Sequence, residues 1–431
     1  MKRIFVVMLI VSIIITSTFS SFAIASPPHI DISSESCVLI DFDTGEVLFE
    51  KNSHKQMYPA STTKIMTAIL TLENTNLTDK IIIDKQTPFT DGSRMYVKEG
   101  EEFTVDQLLH ALLIESANDS AVALAKHIAG STEEFAKLMN KRAKELGALN
   151  TNFTNPHGLP DEKHVTTAYD LSMIAKYGMT LPKFKEIVKT IKYQIPATEK
   201  TPEIRYFRNR NRLLHGIGPS NQIKYKGKWI DIKYDIVDGI KTGYTTKAEQ
   251  CLVSTAFKDN RRVISVVLKT NRPNQYLDSR KLIDYGFDNF KKINVINSGT
   301  NLKTIEIENG IEKTLDLLTQ DSISKIVPND TIESNIKQKI ELSSDIKAPI
   351  TKGEVLGTVS FSLNGEVIGS TNLIAKSSVD EKQLYKIIKR IQDPQNMSLY
   401  KIILGVIVVF LVWRTVVTIR RVRRKRRRWK W

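Results

Sequence analysis

Apolar residues in this chain fall into three patterns, and each predicts a different kind of structure. At the two ends they run together. Ile4 to Ile15 is almost wholly apolar, follows Lys2 and Arg3, and precedes Ala23-Ile24-Ala25. A charged start, a short apolar stretch and a small-x-small site read as an export signal cleaved before Ser26. At the other end Ile402 to Trp413 carries no charge, and the apolar character continues past Arg414 to Ile419. These 18 residues make about 27 Å of helix, enough to cross a bilayer. Arg414 lies near the end of the segment, where it can snorkel to the interface. Nine Lys and Arg follow between Arg420 and Lys430. By the positive-inside rule that tail stays in the cytoplasm, and everything between the apolar ends lies outside it. The rival reading is a basic helix lying on the membrane surface.

Between the ends the pattern changes character twice. Cys37 to Phe42, the turn Asp43-Thr44-Gly45, and Glu46 to Glu50 read as a β-hairpin. Ile65, Met66, Ile69, Leu70 and Leu72 have helical spacing. Thr104 to Leu146 is helical in pattern, with capping boxes at Thr104/Gln107 and Ser131/Glu134 and a C-cap at Gly147. Another helix starts near Thr167. Ile191 to Lys233 is polar and loop-rich, with no clear period. Three strands follow, Asp235 to Lys241, Gln250 to Phe257 and Arg262 to Lys269, then a helix from Gln275 to Phe290. Strands that flank a block of helices predict a largely antiparallel sheet with helices on its faces. After Lys291 helical periodicity fades into short alternating stretches: Thr304 to Glu308, Lys313 to Leu318, Ile323 to Val327, and Gln338 to Leu342. A hairpin with an Asn364-Gly365 turn is the clearest of these elements, so a small all-β domain is expected, joined by a helical linker to the apolar segment.

Charge adds to the topology more than to the function. The tail, Arg414 and the first residues supply +12 of the net +16, which leaves the remainder only mildly basic. No basic patch is interleaved with aromatics, so nucleic acid is not an expected partner. Two cysteines, Cys37 and Cys251, lie in apolar strand-like runs and read as buried free thiols, with pairing as the alternative. His-Glu-x-x-His and Cys-x-x-Cys are both absent, and Gly216-Ile217-Gly218 lacks the strand-glycine-helix setting of a dinucleotide site. No metal or cofactor is expected.

Three motifs stand in one order: Ser61-Thr62-Thr63-Lys64, Ser116-Ala117-Asn118, and Lys241-Thr242-Gly243. Each is weak alone. Ser-x-x-Lys recurs at Ser322, Ser334, Ser344 and Ser398, whereas Lys-Thr-Gly occurs once. Together they specify a serine nucleophile with a lysine one turn away, a polar bridge, and a strand edge able to hold a carboxylate. A serine hydroxyl needs a base, and none of the seven histidines has a convincing place for that role. Lys64 can serve if its amine is partly neutral, through burial and the nearby charge of Lys241. Ser116 can relay a proton between Lys64, Lys241 and the leaving group. Asn118 can steady Lys64 and bind a substrate carbonyl. Gly243 lets substrate backbone approach, while Lys241 and Thr242 suit a free terminal carboxylate. The backbone amides of Ser61 and Tyr244 are the candidate oxyanion donors.

From Ser34 to Phe290 the chain resembles the D-alanyl-D-alanine carboxypeptidases, the low-molecular-mass penicillin-binding serine peptidases. The resemblance rests on Tyr58 to Thr67, Glu115 to Ala125, Asn155 to Pro160 and Val237 to Thr245. It implies an α/β (α+β) domain of the β-lactamase/transpeptidase type, followed by the family's all-β domain. The expected layout is a signal peptide 1–25, a catalytic domain 26–290, a β domain 291–380, a linker 381–400, a membrane helix 401–419 and a cytoplasmic tail 420–431. The implied reaction removes the terminal D-alanine of peptidoglycan stem peptides at the outer face of a bacterial membrane. Ser61 is acylated, Lys64 and Ser116 move the proton, and Asn118, Lys241, Thr242, Gly243 and Tyr244 hold the substrate. Penicillins acylate the same serine. Arg272 is the suggested counterpart of an arginine that holds the substrate carboxylate in some members. Three rivals stand beside this reading. A β-lactamase is disfavoured because no Glu-x-x-x-Asn spacing occurs between Ser34 and Phe290; an endopeptidase that cuts cross-links, and a non-catalytic wall-binding module, are the others.

Overall fold

The computed structural model describes residues 30–392 and 394–427. The segment read as an export signal and the last residues of the basic tail lie outside the described residues. The chain divides into two compact units, one of residues 1–292 with 326–331 and one of 293–325 with 332–431.

The first unit is built on five antiparallel strands: β1 (Ser36–Asp41), β2 (Val47–Lys51), β3 (Val237–Thr245), β4 (Glu249–Lys258) and β5 (Arg261–Thr270). Their order is β2-β1-β5-β4-β3, so chain-distant strands pair in the middle and β3 forms an edge. Both faces are covered, and residue parity decides which core each side chain enters. Val38, Ile40, Val253, Ile264 and Val266 face one core; Cys37, Leu39, Leu252, Val263 and Val267 face the other. Two-sided burial explains why these strands read as continuous apolar runs. It also separates the cysteines. Cys251 belongs to the first core and Cys37 to the second, and both are free and buried.

Helices α1 (Lys64–Asn74), α2 (Val105–His110), α3 (Asn118–Ala129), α4 (Thr132–Glu145), α5 (Ala168–Gly178) and α6 (Pro182–Lys189) belong with the first core, and α7 (Asn274–Asn289) with the second. Lys64 to Thr71 of α1 are all buried, as expected of a helix inside a domain rather than on its surface. The Thr104/Gln107 capping box is complete. At Ser131 only half of one forms: its hydroxyl accepts from the Glu134 amide, while the Glu134 carboxylate pairs with Lys137. Gly147 takes the left-handed conformation just past α4, at φ +83°. The segment without clear period holds two short hairpins, Lys192–Ile195 with Arg205–Arg208 and Gln222–Tyr225 with Lys228–Asp231.

The second unit holds another five-stranded antiparallel sheet: β6 (Asn301–Glu306), β7 (Thr314–Thr319), β8 (Ile336–Leu342), β9 (Val355–Leu363) and β10 (Glu366–Ala375), in the order β6-β7-β10-β9-β8. Leu315, Leu317, Val359, Phe361 and Leu373 form its core. Ile323–Pro328 is a strand, yet it pairs with Phe290–Ile296 rather than with this sheet. Helices α8 (Gln383–Gln392) and α9 (Pro394–Arg427) follow. Tyr400–Arg424 within α9 is long and apolar enough to cross a membrane.

One buried ion pair ties the fold to the region of the motifs. Arg205 and Glu101, with side chains 8% and 0% exposed, pair at 2.8 Å. The same guanidinium donates to the Met95 and Tyr96 carbonyls, which pins the loop before α2. Removing one partner of such a pair strands the other charge in a low-dielectric interior. Glu101→Ala is therefore expected to destabilise the first unit by about 3–5 kcal/mol, read as a lower denaturant midpoint at unchanged slope.

Candidate active site

Ser61 lies in a tight 3-10 turn, Ala60–Thr63, that runs directly into α1. Ala60 has φ +48°, a conformation unfavourable for a residue with a Cβ. Its surroundings hold it there. The Thr63 hydroxyl donates to the Ala60 carbonyl at 2.8 Å and lies 2.8 Å from His164 Nε2. Thr62 donates to the Pro59 carbonyl at 2.6 Å. Two glycines close on the turn. A Cβ on Gly158 (φ +89°) would overlap the Ala60 carbonyl, and one on Gly243 would sit 3.0 Å from the Pro59 oxygen and 3.2 Å from the Ser61 nitrogen. The third motif thus abuts the amide of the first.

Lys64 is 0% exposed. Its Nζ lies 3.1 Å from Ser61 Oγ, 2.6 Å from Asn118 Oδ1 and 2.7 Å from the His157 carbonyl oxygen. The amide of Asn118 is oriented by its other end, because Nδ2 donates to the Asp91 carbonyl at 2.6 Å. Burial is the main cause that holds the Lys64 amine well below the usual lysine range. The charges of Lys241 and Arg210 add to it, and buried Asp119 opposes them. A neutral amine has two N–H donors and one lone pair. Two carbonyl-type acceptors take the donors, so the lone pair is left for the Ser61 hydroxyl.

Ser116 follows a π-helical turn, Ala111–Glu115, and adopts the left-handed conformation at φ +69°. That kink separates the long helical pattern of the sequence into α2 and α3. It also turns the Ser116 hydroxyl to accept from Lys241 Nζ at 2.9 Å. Lys241 is 1% exposed and also donates to the Thr242 carbonyl at 3.0 Å. Burial and the Arg210 charge lower its pKa to about 7, against an opposing pull from Glu115. Ser116 thus bonds Lys241, whereas Lys64 is held by Ser61, Asn118 and His157. The structure brings Ser61, Ser116, Thr242, Gly243 and Tyr244 together along one cleft of about 1030 Å³, with Arg272 also in its wall. Tyr244 is exposed at the rim.

Four contributors escaped the motif reading. His157 acts through its carbonyl, which no side-chain motif announces, although its Asn-Pro-His-Gly segment stood out as a turn. Burial lowers its imidazole to about 3, so the ring is neutral. Burial likewise takes His164 to about 4, which leaves it a neutral support for Thr63. Asp119 is buried and accepts from the Met95, Val97 and Ser120 amides, so it fastens the 95–97 loop to the start of α3. Arg210 pairs with Glu115 and donates to Ser93 Oγ at 3.1 Å. It lies in the segment that had no readable period.

A mixed sheet-and-helix unit with a lysine buried beside a serine, followed by an all-β unit, is the architecture of the penicillin-binding enzymes. The D-alanyl-D-alanine carboxypeptidase family matches residues 21–272, and the C-terminal domain of penicillin-binding protein 5 matches residues 290–381. The chain belongs to the D-alanyl-D-alanine carboxypeptidase family. It is similar to the D-alanyl-D-alanine carboxypeptidase DacF of Bacillus subtilis, at 34% identity over 90% of this chain and 98% of that one. It is also similar to DacC of Escherichia coli, at 32% identity over 85% and 88%. Among solved structures, penicillin-binding protein 5 of Haemophilus influenzae covers 83% of this chain and 100% of its own, at 29% identity and a TM-score of 0.68.

The close approach of Gly158 makes a prediction. Gly158→Ala adds a Cβ at a positive φ against the Ala60 carbonyl, so the turn that presents Ser61 must shift. A penicillin acylation rate at least about tenfold below wild type is expected, since a displacement of about 1 Å is costly to a positioned nucleophile. Stopped-flow labelling with a fluorescent penicillin measures it.

Proposed function

We propose that the chain is a serine-type D-alanyl-D-alanine carboxypeptidase that releases the terminal D-alanine of peptidoglycan stems through an ester on Ser61. The observation that carries this reading is the Lys64 amine, buried and 3.1 Å from Ser61 Oγ, with both its N–H donors met by Asn118 Oδ1 and the His157 carbonyl. In acylation Ser61 Oγ attacks the penultimate D-alanyl carbonyl while Lys64 takes its proton. The backbone amides of Ser61 and Tyr244 receive the developing oxyanion. Lys241, Thr242 and Arg272 hold the terminal carboxylate. Ser116, bonded to Lys241, passes a proton to the departing nitrogen and recovers one from Lys64, so that D-alanine leaves and the Lys64 amine is neutral again. Water then cleaves the ester with Lys64 again as base. Gly243 and the edge position of β3 leave room for substrate backbone, and the free Asn118 N–H can meet a substrate carbonyl. A β-lactam ring presents a carbonyl and a carboxylate to the same groups, so penicillins acylate Ser61. No cofactor takes part in these steps.

The expected layout of domains belongs to the same proposal. The units of 1–292 with 326–331 and of 293–325 with 332–431 support a catalytic domain near 26–290 and a β domain near 291–380. The apolar part of α9 serves as the membrane anchor at 401–419. The catalytic unit then works on the outer face and the basic tail on the inner one.

Ser61→Ala should abolish both penicillin labelling and D-alanine release, and Lys64→Ala should come close to it because the serine loses its base. Labelling followed on a gel and alanine release followed by mass decide this; a labelled Ser61→Ala protein would sink the assignment. The pH dependence follows from the two lysines. Lys64 must be neutral to act, so kcat/KM falls toward acid pH as its amine takes up a proton. Lys241 must be charged to hold a carboxylate. Its free-enzyme pKa of about 7 makes kcat/KM fall again as pH rises through 7. A bound carboxylate raises that pKa, so the alkaline loss is expected in KM and much less in kcat. Lys241→Arg keeps its charge at every such pH and should remove the alkaline limb.

A further inference from the structure

The hairpin of Lys192–Ile195 and Arg205–Arg208 has two faces of opposite character. Strand alternation sends Ile195, Arg205 and Phe207 into the interior, while Lys192, Gln194, Tyr206 and Arg208 stand exposed on the other face. The register sets Lys192 directly opposite Arg208 and Gln194 directly opposite Tyr206. Opposed residues of an antiparallel pair have Cβ atoms about 5 Å apart, and like charges at that spacing weaken the hairpin. Among the described residues neither Lys192 nor Arg208 takes part in an ion pair. The carboxylates that touch the inner face are engaged elsewhere. Glu101 is held by Arg205, and Asp106, which meets the Tyr193 hydroxyl, is held by Lys183. Beside the two cations the Tyr206 ring is 72% exposed. The four outward side chains, with Tyr193 and Phe207, line a shallow groove of about 700 Å³. This groove meets the catalytic cleft, because Arg208 lines both. The chain then runs on through Asn209 and Arg210 of the cleft wall, and Arg210 donates to Ser93 Oγ of the same cleft.

Two unpaired cations, an amide and an exposed ring on one face suit an anion carried on a short extended chain. The proposed substrate supplies such a chain. Its D-alanyl pair is met by Ser61, Lys241, Thr242 and Arg272, so the stem residues ahead of that pair are left to the rest of the cleft wall. We propose that the outer face of this hairpin is a subsite for a carboxylate on the stem ahead of the scissile bond. The enzyme then selects stems in which that carboxylate is free over stems in which it is an amide. The proposal rests on the acyl-Ser61 reading above and adds a specificity to it. Lys192 and Arg208 take the carboxylate between them, which relieves their mutual repulsion. An amide offers no charge and relieves nothing. Gln194 has both a donor and an acceptor for the neighbouring peptide group, and the Tyr206 ring covers the chain beside it. The reach is short. Tyr206 lies two residues from Arg208 along its strand, about 7 Å, and an extended peptide covers that distance in two residues.

The test uses the full-length protein in detergent micelles and five-residue peptides ending in D-Ala-D-Ala. Each carries a glutamate at one of the three positions ahead of that pair, and each has a glutamine twin. Release of D-alanine gives kcat and KM for both. At one position wild type should show a KM about fivefold lower for the glutamate peptide than for its twin, the scale of two exposed ion pairs. The kcat should be the same for both, and the KM advantage should shrink as salt is raised. Lys192→Gln should remove most of the preference while its KM for the glutamine twin stays within about twofold of wild type. Lys192→Arg keeps the charge and should keep the preference. Equal KM values for the twins at all three positions overturn the proposal. So does a preference that survives when Lys192→Gln and Arg208→Gln are combined. Wild type that releases no D-alanine from any peptide and is not acylated by penicillin would bring down the acyl-Ser61 reading itself, and this one with it.

Discussion

Everything around the site follows from burying the Lys64 amine without a carboxylate in contact. An ammonium taken out of water is costly, and a second buried lysine and Arg210 nearby make it costlier. The protein answers with neutral acceptors in place of an anion. Asn118 Oδ1 and the His157 carbonyl satisfy the donors of the neutral amine but do little to hold its extra proton. An Asp or Glu in either place would stabilise the ammonium and remove the proposed base. Asp119, the carboxylate that pulls the other way, is itself occupied by three backbone amides.

That requirement explains where the chain departs from regular geometry. Ala60 and Ser116 both occupy the left-handed region, which costs on the order of 1–3 kcal/mol each for residues with a Cβ. Both lie at the junctions where loop becomes helix beside Lys64. The rest of the first unit is conservative by comparison, with a sheet covered on both faces and a fully buried α1. The Arg205–Glu101 pair and Asp119 fasten the 91–97 loop from two sides, and that loop supplies the carbonyls that orient Asn118. Rigid packing outside the site thus supports strain inside it.

What the sequence made legible divides along the same line. Strands buried on both faces, the helix after Ser61, the Thr104 capping box and the three motifs all rest on local pattern or short spacing. These could be read directly. The partners of the motifs could not. The His157 carbonyl acts through backbone, and Asp119 and Arg210 act across gaps of many residues. Arg210 further sits among short hairpins whose period is too brief to register. The Ser131 box formed by half because Glu134 pairs instead with Lys137, one turn along the exposed face. Ile323–Pro328 has a strand's alternation, but alternation does not name the partner strand, and its partner proved to be Phe290–Ile296.

The two lysines also clarify why Ser116 bonds Lys241 rather than Lys64. Were Ser116 a third acceptor on Lys64, its hydroxyl would compete with Ser61 for the one free position of the amine. Placed on Lys241 Nζ at 2.9 Å, it accepts from a cation and keeps its own proton available to a departing nitrogen. The left-handed turn at Ser116 secures that division of labour, since a helical continuation from Ala111 would carry the hydroxyl away from the strand edge. In the proposed mechanism the base for the nucleophile is then Lys64 and the donor for the leaving group is Ser116 on Lys241, and one backbone conformation keeps the two apart.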